Sequence, residues 1–173
     1  MNVLKHAMKT TTILMLVALF STSASATLDD AYTAYNKGDF TAAINEIRTL
    51  AEKGDRQAQY DLATMIGKGQ GIKQDDVEAT KWYRLAAEQN HHSAQQSLGE
   101  RYLLGLGVDK DFTEGKNWLL KSAKESDKAQ FLLGSLYLDG SEGFAVDNAE
   151  AIKWFTKAAD QDYVDAQFNL GIL

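Results

Sequence analysis

Small and apolar residues return at helical spacing along this chain, in blocks separated by glycine-rich stretches, and the blocks resemble one another. Ala79, Trp82, Tyr83, Ala86 and Ala87 fall on one stripe; so do Gly115, Trp118, Leu119, Ser122 and Ala123, and again Ala151, Trp154, Phe155, Ala158 and Ala159. Steps of three and four mark one face of an α-helix. An earlier block, Ala43, Glu46, Ile47, Leu50 and Ala51, keeps the spacing without the tryptophan and reads as a degenerate edge unit. A second helix follows each block, marked by Ala58-Gln59 with Leu62, Ala94-Gln95 with Leu98, Ala129-Gln130 with Leu133, and Ala166-Gln167 with Leu170. Gly99, Gly134 and Gly171 come next, with Ala63 in the first copy, and Tyr102 and Tyr137 stand one turn on, where the first copy has Ile66. Glycine inside a helix costs about 1 kcal/mol against alanine, so its return predicts a close helix contact.

The boundaries repeat as well. Asp39, Asp75, Asp111 and Asp147 recur every 36 residues (75 − 39, 111 − 75, 147 − 111). Glu78, Glu114 and Glu150 follow three positions after the last three of these. Such a pair predicts a capping box: the aspartate accepts from a free backbone N–H and the glutamate reaches back. Asp39, with Ala42 at the matching place, keeps half the device. Gly69 and Gly71, Gly105 and Gly107, and Gly140 and Gly143 predict the opposite ends, since glycine tolerates the left-handed backbone that stops a helix. A period of this size means one small unit copied several times. With Leu28–Lys37 ahead of the first cap, the pattern predicts about nine helices. They should stack as antiparallel hairpins into an all-α, right-handed solenoid whose concave face is lined mainly by one helix of each pair. The units run approximately 28–74, 75–110, 111–146 and 147–173, the last incomplete.

The run Ala-x-x-Trp, two small residues, then Ala-Gln-x-x-Leu-Gly-x-x-Tyr-x-x-Gly-x-Gly-Val-x-x-Asp is nearly unbroken from Asp75 to Asp111. It resembles the Sel1-like repeat family, relatives of tetratricopeptide repeats, over about Asp39 to Leu173. The opening Ala34-Tyr35-Asn36-Lys37-Gly38-Asp39-Phe40 is more similar to an ordinary tetratricopeptide unit. The resemblance implies an interaction scaffold, non-enzymatic, often exported in bacteria and active in envelope assembly, signalling or host contact. Some cysteine-rich members have been linked to β-lactams, but this chain has no cysteine.

Residues 1–26 read as a secretory signal peptide: Lys5 and Lys9, the apolar run Ile13–Phe20, and Ala24-Ser25-Ala26 as the cleavage site. Translation could start at Met1 or Met8. The apolar run is too short for a membrane span. A periplasmic or secreted protein of residues 27–173 is expected, with no span in the mature chain. Losing Lys5 and Lys9 takes the formal charge from −6 to −8. That acidity disfavours nucleic acid, which asks for a basic face. With no cysteine or proline, stability has to come from helix packing alone.

No constellation of catalytic, cofactor-binding or metal-ligating residues stands out. Gly67-Lys68-Gly69-Gln70-Gly71 follows a helix and lacks the Gly-Lys-Ser/Thr ending of a phosphate loop, so it reads as a turn. His91-His92 are adjacent, whereas helical metal sites use spacings of three to five, so the pair reads as a solvated turn. One column varies while the packing positions do not: Tyr60, Gln96, Phe131 and Phe168. It reads either as inter-helix packing or as partner-binding. The expectation is a scaffold that holds a protein or peptide on its concave face. Two alternatives stay open: an envelope hydrolase of the β-lactam-active type, and a cell-wall glycan-binding module. Leu170-Gly171-Ile172-Leu173 is apolar where a polar cap is usual, which points either to self-association through the C-terminal edge or to a chain shortened from a longer relative.

Overall fold

The computed structural model describes residues 27–140 and 143–173; the expected signal peptide lies outside them. Among the described residues there are nine helices and no strand: α1 (Leu28–Asn36), α2 (Phe40–Glu52), α3 (Arg56–Lys68), α4 (Asp76–Glu88), α5 (His92–Leu104), α6 (Phe112–Ser122), α7 (Asp127–Asp139), α8 (Asn148–Ala159) and α9 (Val164–Ile172). Every extensive contact joins helices consecutive in the chain. This is the quasi-one-dimensional build of a helical solenoid, in which each hairpin buries the face of the last.

The four aspartates start their helices as expected. Each accepts through Oδ1 from the backbone N–H three residues on, at 2.9 Å for Asp39, Asp75 and Asp111 and 3.0 Å for Asp147. The reciprocal half of the box does not form. The cap N–H groups of Asp75, Asp111 and Asp147 donate instead to Ile66, Tyr102 and Tyr137 carbonyls of the preceding helix, at 3.4, 2.9 and 2.9 Å. Asp39 does the same to Ala34 at 3.0 Å. A donor already satisfied has nothing to offer the glutamate, so Glu78 pairs with Arg48 at 2.9 Å and Glu150 with Lys153 at 2.6 Å. The cap thus ties two helices together as well as ending one.

The core divides into three clusters in chain order, joined by the tryptophan helices. On α6, Trp118 packs into the first cluster with Ala94 and Leu98, while Leu119 packs into the second. On α8, Trp154 belongs to the second cluster and its neighbour Phe155 to the third. Adjacent residues of one helix therefore face successive hairpins, and the indoles lie between them. Trp118 and Trp154 are buried, and neither Nε1 has a partner. An orphaned donor costs roughly 1–3 kcal/mol, so the indoles are retained for shape and apolar area.

Of the three recurring helical glycines, Gly99 and Gly134 are close contact points as expected, whereas Gly171 on α9 has nothing within 4 Å because no described helix packs on that side. A Cβ on Gly99 would lie 2.8 Å from Leu119 Cγ and 2.9 Å from the Gly115 carbonyl. In the loops, Gly107 has φ +69° and rests on the backbone of Asp76, the first helical residue of the preceding tryptophan helix. Gly71 and Gly143 meet Phe40 and Phe112, at the same place in their own copies.

The recurring glutamine has a role that the spacing alone did not reveal. Gln59, Gln95, Gln130 and Gln167 donate from Nε2 to the carbonyls of Ala51, Ala87, Ala123 and Ala159, at 3.2, 3.1, 2.9 and 3.4 Å. Each adds a side-chain donor to a carbonyl at the C-terminal end of the preceding helix; those of Ala51, Ala87 and Ala159 also accept from the backbone N–H of Gly54, Asn90 and Asp162.

Candidate functional site: grooves between successive inner helices

On α3 the buried side carries Ala58, Leu62 and Ile66, and the open side carries Gln57, Asp61, Thr64 and Lys68. The corresponding sides of α3, α5 and α7 border two grooves, and positions in register from one copy to the next can be compared between them. Met65, Arg101 and Leu136 occupy one such column; Gly67 and Leu103 occupy another, and Asp76 and Phe112 a third.

The groove between α3 and α5 is sealed. Arg101, 9% exposed, places both guanidinium nitrogens 3.1 Å from Asp76 Oδ1. Its Nη1 also donates to Thr80 Oγ1 at 3.0 Å and to the Leu106 carbonyl at 3.3 Å. The guanidinium carbon sits 5.1 Å from the centre of the Tyr83 ring. Gly67 leaves room for this side chain, since a Cβ there would come within 2.9 Å of Nη2.

The groove between α5 and α7 is open. Arg101 is replaced in register by Leu136, Asp76 by Phe112 and Gly67 by Leu103. The result is a cavity of about 580 Å³ lined by Glu100, Leu103, Leu104, Lys110, Phe112, Leu132 and Leu136. That is within the usual range for ligand pockets, with an apolar wall and a carboxylate and an ammonium at its edge. Lys110 Nζ lies 4.7 Å from the centre of the Phe112 ring. Helix α6 is shorter than α4 and α5, and it touches α7 less than any other consecutive pair touches.

The column singled out by its variation does not line this groove. Tyr60 is half-buried, stacked on His91 at 4.6 Å and tilted against Tyr83 at 5.8 Å. Phe131 packs in the same way on Phe155 and Tyr163, at 5.5 and 5.1 Å. Gln96 donates to Glu100 at 2.8 Å within α5. Phe168 is 68% exposed. The groove residues Leu103, Leu104, Leu132 and Leu136 did have a sequence signal. They are apolar where other copies carry Gly67, Lys68, Asp61 and Arg101.

A polar chain runs across α1, α3 and the turn before α5. Tyr32 donates to Asp61 at 2.7 Å, and Gln57 Nε2 bonds both carboxylate oxygens, at 3.1 and 3.2 Å. Gln57 Oε1 meets His91 Nε2 at 3.0 Å, and His91 Nδ1 accepts from the Ala94 N–H at 3.2 Å. The first of these expected turn histidines is thus half-buried and caps α5, because its ring reaches back over Tyr60; His92 is exposed. Burial lowers the His91 pKa and raises those of Asp61 and Tyr32. Among the described residues no group of three or more metal-ligating side chains gathers, no histidine ring bonds a serine or threonine hydroxyl, and no helix is long and apolar enough to cross a membrane.

The family model described as Sel1 repeat matches residues 56–91, 92–127 and 127–163. Its units begin at the Ala-Gln helix, half a period from the caps. A Sel1 repeat protein from Oxalobacter formigenes is 31% identical with a TM-score of 0.77, covering 84% of this chain and 60% of its own. The structure of c5321, a protective antigen of uropathogenic Escherichia coli strains, is 32% identical with a TM-score of 0.75; 83% of this chain is covered but 32% of that one. Another Sel1 repeat protein, from Klebsiella pneumoniae, shares the fold at 17% identity and a TM-score of 0.51. An exopolysaccharide production negative regulator of Rhizobium leguminosarum is 40% identical over 52 residues, 30% of this chain and 20% of the relative. This chain therefore spans less than two thirds of the two solved relatives above 30% identity, and a fifth of the regulator. Sel1 repeat proteins generally mediate protein–protein interaction and are generally non-enzymatic scaffolds. Three consecutive matched repeats over more than half the chain, laid on six of the nine helices described, place it in the Sel1 repeat family.

Proposed function

We propose that this protein is an exported, non-enzymatic adaptor that holds a protein or peptide segment along its concave face. An aliphatic side chain of the partner is anchored in the groove between α5 and α7. The observation that carries this reading is the apolar cavity of about 580 Å³, where the neighbouring groove of the same frame is closed by Arg101. Glu100 and Lys110 at its edge suit an extended segment whose backbone and flanking groups stay polar while one side chain is buried. Tyr60, Gln96, Phe131 and Phe168 flank this face, with Phe168 the most accessible of them. Export rests on residues 1–26, outside the described part, and implies a periplasmic or secreted partner.

The test is a photo-reactive residue at Leu104, on the exposed lip of the groove, introduced into the full chain in its native cells. One defined adduct is expected, lost when Leu132→Asp is added, with none from the same label at exposed Glu88. Equal labelling from both positions would refute the groove. Turnover of a chromogenic β-lactam above buffer would replace the adaptor with a hydrolase, and retention on purified peptidoglycan would replace it with a glycan module.

A second reading adds self-association. Val164, Phe168 and Ile172 are 72, 68 and 67% exposed and stand four residues apart on α9, a single apolar stripe. A second copy laid on it would bury all three. A monodisperse monomer at high concentration would end that reading.

A further inference from the structure

Between α1 and α3 lies a smaller cleft of about 170 Å³, lined by Tyr32, Tyr35, Ile47, Asp61, Thr64, Met65 and Gln70. Ile47 and Met65 are buried and form an apolar floor. Two acceptor oxygens stand out among its polar groups, the Asp61 carboxylate and Gln70 Oε1; the Tyr32, Tyr35 and Thr64 hydroxyls can both donate and accept. Asp61 takes part in none of the ion pairs found among the described residues, so its carboxylate sits half-buried without a cation. Gln70 donates through Nε2 to the Tyr35 hydroxyl at 3.0 Å, and its Oε1 is buried with no partner. The rings of Tyr32 and Tyr35 supply aromatic walls. Tyr32 and Gln57 give the Asp61 carboxylate neutral hydrogen bonds but no countercharge, and a cation entering beside it recovers part of its desolvation cost. Aromatic faces add to the attraction.

We propose that this cleft is an anchor pocket for one basic side chain, a lysine ammonium or an arginine guanidinium, of the peptide held on the same face. The inference rests on the adaptor reading and names part of its partner's chemistry. The volume admits one side chain and is below what a drug-sized ligand needs. The acid is particular to this copy: the positions in register with Asp61 are Ser97, Leu132 and Asn169, and the one in register with Gln70 is Leu106. The two grooves then read different features of one ligand, a positive charge between α1 and α3 and an aliphatic group between α5 and α7. Burial raises the Asp61 pKa, so a bound cation stabilises the ionised form that the empty cleft disfavours.

The test is an NMR titration of the full chain with Nα-acetyl-lysine methylamide and Nα-acetyl-arginine methylamide, with the norleucine analogue as control. Saturable shifts are expected at the amides of Tyr32, Asp61 and Gln70 with the basic probes and none with norleucine. Asp61→Asn should weaken binding about tenfold, the loss of one charge-assisted contact. Glu88→Gln removes an exposed carboxylate of α4, outside the cleft, and should bind within about twofold of wild type. The proposal is overturned if norleucine gives the same shifts, or if Asp61→Asn binds lysine as the wild type does while its melting temperature is unchanged. A defined Leu104 adduct with no basic-probe binding would remove the anchor and leave the adaptor standing.

Discussion

The grooves on either side of α5 have the same frame and opposite characters. Toward α3, Arg101 fills the space and is held by Asp76, Thr80 and the Leu106 carbonyl. Toward α7, three exchanges in register, Leu136 for arginine, Phe112 for aspartate and Leu103 for glycine, leave an apolar cavity. The backbone repeat sets where a groove can be; three side chains decide whether it is closed. A solenoid can thus vary what it holds without altering how it stacks, because the stacking positions (alanines, indoles, glycines and the buried glutamines) lie on other faces of the same helices.

The sealed side is the place to break this comparison hardest. Arg101→Leu removes a buried donor and leaves Asp76 unpaired. It should cost roughly 2 kcal/mol, moderated because the Asp76 carboxylate keeps some access to water. Adding Asp76→Phe rebuilds the α5–α7 chemistry between α3 and α5, and should recover roughly 1 kcal/mol by burying apolar area. Urea denaturation of wild type, single and double variants measures both steps. If the single variant unfolds at the wild-type midpoint, Arg101 is not a seal and the difference between the grooves lies elsewhere.

The two sides should also respond differently to acid. Helix α5 is capped by His91 Nδ1, whereas α7 is capped by the Ser126 hydroxyl. Protonated His91 cannot accept the Ala94 N–H. Burial places its folded-state pKa below the ordinary 6.5; Asp61 opposes the shift, while Arg56 and His92 add to it. The unfolded chain therefore binds the extra proton first. The cap contributes fully above pH 6.5 and is lost as pH falls through the lowered pKa. Hydrogen exchange of the α5 amides, taken relative to the intrinsic rate at each pH, should accelerate over that range, by an amount set by a cap worth about 1 kcal/mol, while α7 stays level. His91→Asn keeps an acceptor that does not titrate and should flatten the α5 response. Equal acceleration in both helices would show that the pH effect is not the cap.

Much of this was legible before any coordinates. The aspartate period gave the helix starts, the loop glycines gave the ends, and Gly99 and Gly134 correctly signalled close approach. What local spacing could not supply was the competition for each group. Glu78 and Glu150 leave their boxes because the preceding helix already accepts the cap N–H. His91 leaves solvent because Tyr60 of another helix offers a ring. Tyr60, Gln96, Phe131 and Phe168 drew notice for varying, yet Tyr60 and Phe131 pack on the following tryptophan helix. The leucines that line the open groove stand out only once α5 and α7 are set side by side.

The gentlest change concerns the same junction. Gln59 Oε1 accepts from Gln89 Nε2 at 2.7 Å, and Gln130 Oε1 accepts from Gln161 Nε2 at 2.8 Å. The middle member of the series, Gln95, has a buried Oε1 with no partner. The position that should donate, in register with Gln89 and Gln161, is Glu125, whose side chain carries no N–H. The missing rung lies at the C-terminal end of α6, the helix that meets α7 least. Glu125→Gln supplies the amide and should stabilise the protein by about 1 kcal/mol, the net worth of one hydrogen bond made to a buried orphan. The denaturation midpoint should rise at unchanged slope. Glu125→Ala removes the carboxylate without adding a donor and should give at most a small part of the gain. Equal gains from both variants would mean that the relief is electrostatic, and that the loose packing of α6 owes nothing to the missing donor.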